Sequence, residues 1–210
     1  MAVASALLTR VLVLGDSLTA GWTSFSSGPL APFAPHLQRA LATHHVKSEV
    51  TPAGAPGRAA AQGMHPLKQQ LAAGSFGSGD ACIVLLGAND LLSSFPPSTH
   101  HVDGVISHLK ALHAAVRATG AKSIAMGLLD HPAFSEHGDA LKAINARIEH
   151  EVGADAYVDG FSLVSSRQSA LWSADRIHMT PEGYTALGQA MAAPLADILK
   201  PAAAAAHAHG

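Results

Sequence analysis

The chain is predicted to fold as one α/β domain, a parallel sheet with helices on both faces, and three observations carry that prediction. Five β-prone runs start roughly 33 to 42 residues apart, the length of a strand plus its crossover helix. Two of them, VLVL at 11–14 and CIVLL at 82–86, are continuously apolar rather than alternating, which suits strands covered on both faces. Between the runs, apolar residues recur at helical spacing.

In chain order, the first strand is expected at Thr9 to Leu14, followed by a weak helix candidate at Pro32 to Thr43. The second strand is expected at Val46 to Val50. The helix after it, Ala59 to Leu71, is expected to be kinked or shortened by Pro66. Ala81 to Leu86 is the third strand, and Val102, Val105, Ile106, Leu109, Leu112 and Val116 lie on one face of the next helix. Ser123 to Leu128 and Ala156 to Asp159 are the fourth and fifth strands, separated by a helix carrying Leu141, Ile144, Ile148 and Val152. The last helix carries Tyr184, Leu187, Met191, Leu195 and Ile198, with Thr180 as N-cap and Pro181 in its first turn. No linker divides this alternation, so residues 1–200 are read as a single three-layer α/β/α domain. The tail at 201–210, PAAAAAHAHG, is low-complexity and expected to be disordered, its HAH tract a weak metal ligand at most.

Composition bounds the partners. Of 210 residues 42 are alanine, while Leu, Ile, Val and Phe together supply 49, so the core is built from few large side chains. With 13% charged residues and a formal charge of −2, the chain has no basic surplus for phosphates, and nucleic acid is not an expected partner. No apolar stretch reaches the roughly 18 to 20 residues of a membrane span. MAVASALLTRVLVLG lacks a leading positive charge and is interrupted by Arg10, and cleavage near Gly15 would remove the first strand. The expectation is a cytoplasmic protein without stable membrane insertion, and the sequence leaves its oligomeric state open. The lone Cys82 forbids an internal disulfide and is read as a buried, inert thiol.

Chemistry is expected in the loops at the carboxyl edge of the sheet. The first reads GDSLTAG, Gly15 to Gly21, and places Ser17 directly after a strand. A serine hydroxyl is a weak nucleophile unless a base removes its proton. DRIH, Asp175 to His178, supplies an imidazole and, three residues before it, a carboxylate to orient it. An oxyanion needs preorganised donors. GAND, Gly87 to Asp90, offers the amide of Asn89, and PAGAPG, Pro52 to Gly57, offers a backbone N–H that can approach closely at a residue lacking Cβ. Each loop alone reads equally as a turn or a helix cap, but four loops at one edge supply complementary parts.

GDSLT at Gly15 to Thr19, Gly57, GAND at Gly87 to Asp90 and DRIH at Asp175 to His178, in that order, resemble the four blocks of the GDSL or SGNH hydrolase family across residues 11 to about 190. The resemblance implies Ser17 as nucleophile, His178 as general base and acid, and Asp175 as its orienting group. It also implies oxyanion donors from the N–H groups of Ser17 and Gly57 and the side chain of Asn89. Gly54 lies in the same loop, and Gly57 is preferred because it stands closer to the following helix. The implied fold is flavodoxin-like, strand order 2-1-3-4-5, and the implied reaction is hydrolysis of a small-molecule ester through an acyl-enzyme, with neither metal nor cofactor. Thioesterase, lysophospholipase or carbohydrate O-acetylesterase activity would use the same site. From another class, a non-catalytic binding module would keep the fold without needing all four blocks.

The close pairs His44 and His45, His100 and His101, and His108 and His113 lack metal-ligand spacing and are read as surface residues. His131 and His137 flank the loop after the fourth strand, either lining a pocket or in solvent. Asp16 and Asp90 are read as turn formers. Trp22, Phe25, Phe95, Phe134 and Trp172 fall in loops after strands, where they either rim the site or cap the helix layers. With SSFPPS at Ser93 to Ser98 stiffening one wall, a small to medium acyl ester is expected.

Overall fold

The computed structural model describes residues 8–23, 29–74, 76–92 and 95–200. Five strands, β1 (Thr9–Gly15), β2 (Ser48–Gly54), β3 (Ala81–Leu85), β4 (Lys122–Met126) and β5 (Ala156–Val158), form one sheet in the order β2-β1-β3-β4-β5. Every pairing is parallel, with Val11 opposite both Val50 and Ala81, and Ile83 opposite Ile124. The helices are α1 (Ser17–Ala20), α2 (Ala34–Thr43), α3 (Met64–Gly74), α4 (Ala88–Leu92), α5 (Thr99–Arg117), α6 (Gly138–Glu151), α7 (Gly160–Leu163) and α8 (Pro181–Leu199).

The continuous apolar runs are explained by the two layers. Successive strand residues point to opposite faces. Val11, Val13, Ile83, Leu85, Ile124 and Met126 meet α2 and α8 on one face. Leu12, Leu14, Cys82, Val84 and Ala125 meet α3, α5 and α6 on the other. A core poor in large residues is closed by close approach. In α8, Ala192 and Ala196 are fully buried, and a Cβ at Gly188 would lie 2.7 Å from the Phe33 carbonyl oxygen next to α2.

Two elements differ from their sequence expectation. The second strand runs over Ser48–Gly54 instead of Val46 to Val50. It is an edge strand in which only Val50 is buried, so Thr51 and Pro52 carry no apolar signal although they pair with Leu12 and Val13. Proline is tolerated there because an edge strand has one side without a ladder partner. The next helix starts at Met64, so Pro66 falls in its first turn, where its missing N–H has no intrahelical acceptor to lose; the segment before it is a short 3-10 turn, Ala60–Gln62. The other three long helices fall where the periodicity puts them. Thr180 caps α8 by accepting the Gly183 N–H at 3.1 Å, with Pro181 in the first turn.

No helix of the described residues is long and apolar enough to cross a membrane. The tail at 201–210, Phe25, and Ser93 and Ser94 of SSFPPS lie outside the described residues.

Candidate active site

Strand β1 ends at Gly15 and the chain turns at Asp16 into the single turn of α1. Asp16 is the N-cap, its Oδ1 accepting the Leu18 N–H at 3.0 Å, so it does form the turn. Ser17 is the first residue of α1, at the carboxyl edge of the sheet, and is 7% exposed. The two glycines of the β2 loop have different tasks. A Cβ on Gly54 would lie 2.2 Å from the Ala20 nitrogen, so that glycine lets β2 approach α1. Gly57 is exposed, has φ +74° and has no atom near its would-be Cβ. It is Gly57 that lines the cavity at Ser17.

DRIH lies in the connection from β5 to α8, in a loop closed by the antiparallel bridge between Trp172 and Met179. Asp175 organises it. Its Oδ1 accepts the N–H groups of Ile177 and His178, each at 2.9 Å, and its Oδ2 lies 2.8 Å from His178 Nδ1. Burial raises the carboxyl's pKa, but those backbone and imidazole hydrogen bonds outweigh it and hold the group below the usual carboxylate range. An ionised Asp175 can only accept, so Nδ1 carries the proton and Nε2 is an acceptor. Nε2 lies 2.9 Å from Ser17 Oγ, across 161 residues of sequence, and His178 is 6% exposed. A hydroxyl, an imidazole and a carboxylate thus form one hydrogen-bonded line.

Asn89, at the start of α4, faces the same turn. Its Nδ2 lies 3.1 Å from Asp16 Oδ2 and 3.1 Å from the Arg58 carbonyl oxygen. Both partners accept hydrogen bonds, which identifies the atom facing them as nitrogen. Asp90, the next residue, accepts the Ala60 N–H at 2.9 Å, so one short segment ties the β3 loop to the β2 loop. Arg58 donates through Nη1 to the carbonyl of Gly15 at 2.9 Å and also to that of Ala53, pinning the ends of β1 and β2 together. Burial lifts the Asp16 pKa to about 6, with its helix-cap hydrogen bond and Arg58 opposing the rise. Asp16 thus does more than form the turn, and Arg58 joins it at the site; a charged residue beside a Gly-rich βα loop is the one sequence signal for either.

A cavity of about 360 Å³ opens beside Ser17, lined by Ser17, Trp22, Pro56, Gly57, Asn89, Ile177 and His178. The aromatics divide. Trp22 lines this cavity, whereas Phe95 and Phe134 stack on each other with centroids 4.6 Å apart, Phe95 also packing on His137. Trp172 is buried, its ring 5.4 Å from that of His131, and donates from Nε1 to the Ser165 carbonyl at 3.1 Å. Trp172 belongs to the core on the α2/α8 face and Phe95 packs against the core on the other face, and Phe95, Phe134 and Trp172 are not among the cavity's lining residues. Pro56 and Ile177 line it without having been singled out.

Among the histidines, His113 departs from the surface reading. It is fully buried on the inner face of α5, with Nδ1 2.7 Å from Ser123 Oγ. His131 is also buried, at 2% exposure, and lies in neither solvent nor the lining of the Ser17 cavity, while His137 is exposed and lines a separate cavity of about 780 Å³. Among the described residues no three His, Cys, Asp or Glu side chains converge as metal ligands.

A family model described as GDSL-like Lipase/Acylhydrolase family matches residues 13–186. No curated protein matches the chain significantly. Among solved structures, the psychrotrophic esterase EstA from Pseudoalteromonas sp., inhibited by monoethylphosphonate, is similar at 20% identity and TM-score 0.71, over 91% of this chain and 98% of that one. A lipase/acylhydrolase from Enterococcus faecalis is similar at 18% identity and TM-score 0.68, over 93% of this chain and 100% of that one. An acetylxylan esterase from Geobacillus stearothermophilus follows at 16% identity and TM-score 0.64, over 87% and 92%. At these identities the likeness to the solved structures is one of fold.

Proposed function

The chain belongs to the GDSL-like lipase/acylhydrolase family, and on that premise we propose that it is a serine hydrolase cleaving carboxylic esters of small to medium acyl chains through a Ser17–His178–Asp175 triad. The observation that carries the reading is the hydrogen-bonded line from Asp175 through His178 to Ser17 Oγ, with links of 2.8 and 2.9 Å.

His178 Nε2 takes the Ser17 proton as Oγ attacks the ester carbonyl, and Asp175 stabilises the imidazolium that forms. The tetrahedral oxyanion is held by the N–H groups of Ser17 and Gly57 and by Asn89 Nδ2, each such donor being worth about 3 to 4 kcal/mol in a transition state. In the free protein both hydrogens of Asn89 Nδ2 are engaged, one by Asp16 and one by the Arg58 carbonyl. The oxyanion takes the place of the Arg58 carbonyl, while Asp16 keeps its grip. His178 then returns its proton to the departing alcohol, and water repeats the cycle on the acyl-enzyme.

The acyl-size reading rests on the cavity. Its 360 Å³ volume is near the lower end of small-ligand sites, and its walls of Trp22, Pro56 and Ile177 are apolar. The test has two arms. A fluorophosphonate probe labels folded wild-type protein at Ser17, and Ser17→Ala abolishes both labelling and ester hydrolysis; an unlabelled folded wild type overturns the hydrolase reading. On p-nitrophenyl esters acetyl is cleaved faster than dodecanoyl; equal rates overturn the acyl-size reading. A thioester and O-acetyl-carbohydrate panel run alongside assigns the leaving group.

A further inference from the structure

The loop that carries Asp175 and His178 has no regular secondary structure, so something must hold its backbone. Arg176 sits at φ +62°, a left-handed conformation unfavourable for a residue with a Cβ. Such a conformation persists only where its surroundings fix it. Inside the loop, Asp175 takes the amide hydrogens of Ile177 and His178. Three consecutive carbonyls are tied: Arg176 O accepts the Ala133 N–H at 3.1 Å and Ile177 O accepts from His131 Nδ1 at 3.1 Å, both from outside the loop, and His178 O accepts the Ser173 N–H within it at 2.8 Å. Arg176 returns a bond through Nη2 to the Pro132 carbonyl at 2.7 Å. The segment 131–133, on the loop after β4, therefore clamps the loop after β5. Only one of these carbonyl ties comes from a side chain, and that is His131.

We propose that His131 is a positioning residue, whose Nδ1–H holds the Ile177 carbonyl and so sets the placement of His178 against Ser17. The inference rests on the triad reading above. Its ring is confined for that purpose, lying 5.4 Å from Trp172 and edge-on to Phe134 at 6.0 Å, and it is almost completely buried. A carbonyl can only accept, so Nδ1 carries a proton. Burial, opposed by the bond to Ile177 and assisted by the nearby His178, brings the His131 pKa down to about 4. At neutral pH the ring adds no positive charge beside the imidazolium that His178 becomes. Ile177 also lines the cavity at Ser17, so the same bond steadies a wall of the substrate site.

The test compares His131→Leu, which removes the donor, with His131→Asn, whose Nδ2 stands where the imidazole Nδ1 was. Both are assayed on p-nitrophenyl acetate and for the rate of fluorophosphonate labelling, with folding followed by circular dichroism. The expected result for the Leu variant is a drop in kcat and labelling rate of about 10- to 100-fold with KM nearly unchanged, the scale of a catalytic group displaced by about an ångström. The Asn variant recovers most of it. Unchanged kcat in a folded Leu variant overturns the proposal, as does an effect confined to KM or equal losses in both folded variants. Nitrogen NMR of the wild-type ring stands independently of any variant: an Nδ1-protonated neutral imidazole is expected, and an Nε2-protonated one overturns the proposal. An inactive, unlabelled wild type would instead bring down the hydrolase reading itself.

Discussion

Asp16 Oδ2 lies 3.1 Å from Asn89 Nδ2, so the residue preceding Ser17 holds the amide offered by the loop after β3. This carboxylate is buried at 2% exposure and its pKa is lifted to about 6. A raised carboxyl pKa means the folded state binds the proton more tightly than the unfolded chain. Its stabilisation is therefore greatest below the unfolded value near 4 and is lost as the pH rises to about 6. Asp16→Asn removes this dependence. Between pH 4 and pH 7 the difference in unfolding free energy is expected to move by about 2 kcal/mol in favour of the Asn variant, measured by urea denaturation. A difference independent of pH would show that Asp16 titrates normally.

His113 works in the opposite direction. It is buried beside Ser123, and burial brings its pKa down to about 4, with Arg117 adding to the effect. The unfolded chain, with an ordinary imidazole, takes up the proton first, so stability falls as the pH drops below about 6.5 toward 4. From pH 7 to pH 4.5 this one group is expected to remove about 2 kcal/mol. His113→Phe should flatten that portion of the acid limb, whatever its effect at neutral pH.

Asp175 accepts three hydrogen bonds, two of them from backbone N–H groups and one from the His178 imidazole. Asp175→Asn can keep the backbone pair through Oδ1 while presenting an N–H to His178 Nδ1, which forces the wrong tautomer. A fall in kcat on the order of 10³- to 10⁴-fold with little change in KM is expected for p-nitrophenyl acetate. Circular dichroism should show the fold retained.

The two glycines after β2 should respond differently to alanine. At Gly57 the added methyl meets nothing, so the cost is the left-handed backbone alone, about 1 to 2 kcal/mol. At Gly54 the methyl collides with α1 at the Ala20 nitrogen. Gly54→Ala should therefore lower the melting temperature well beyond Gly57→Ala, while Gly57→Ala should lose proportionately more kcat than stability.

Cys82 is fully buried in β3, and burial pushes its thiol pKa up to about 12. A disulfide-exchange reagent such as Ellman's should leave native protein unmodified at neutral pH, and modification should appear only with global unfolding in denaturant. Rapid reaction of folded protein would contradict this burial.

The strands and helices were legible because each is a local periodic signal. VLVL and CIVLL are apolar on both faces because α2 and α8 cover one side and α3, α5 and α6 the other. β2 was misplaced because it lies at the sheet edge, where pairing with β1 needs no apolar run. Ser17, Asp175, His178, Asn89 and Gly57 were legible as candidates, each being a residue type suited to acyl transfer in a connection that follows a strand.

What the sequence by itself determined is the set of parts: a doubly covered parallel sheet and four loops carrying a hydroxyl, an imidazole with its carboxylate, an amide and a glycine. Their relation was decided by the tertiary structure. The 2.9 Å from His178 to Ser17 spans 161 positions, and the sorting of Gly54 from Gly57, of Trp22 from Phe95, Phe134 and Trp172, and of His113 and His131 from the exposed histidines all depend on which loops lie side by side. A side chain's contacts across the sheet edge leave no periodic trace along the chain, because they are set by strand order and loop packing instead of by the spacing of neighbouring residues.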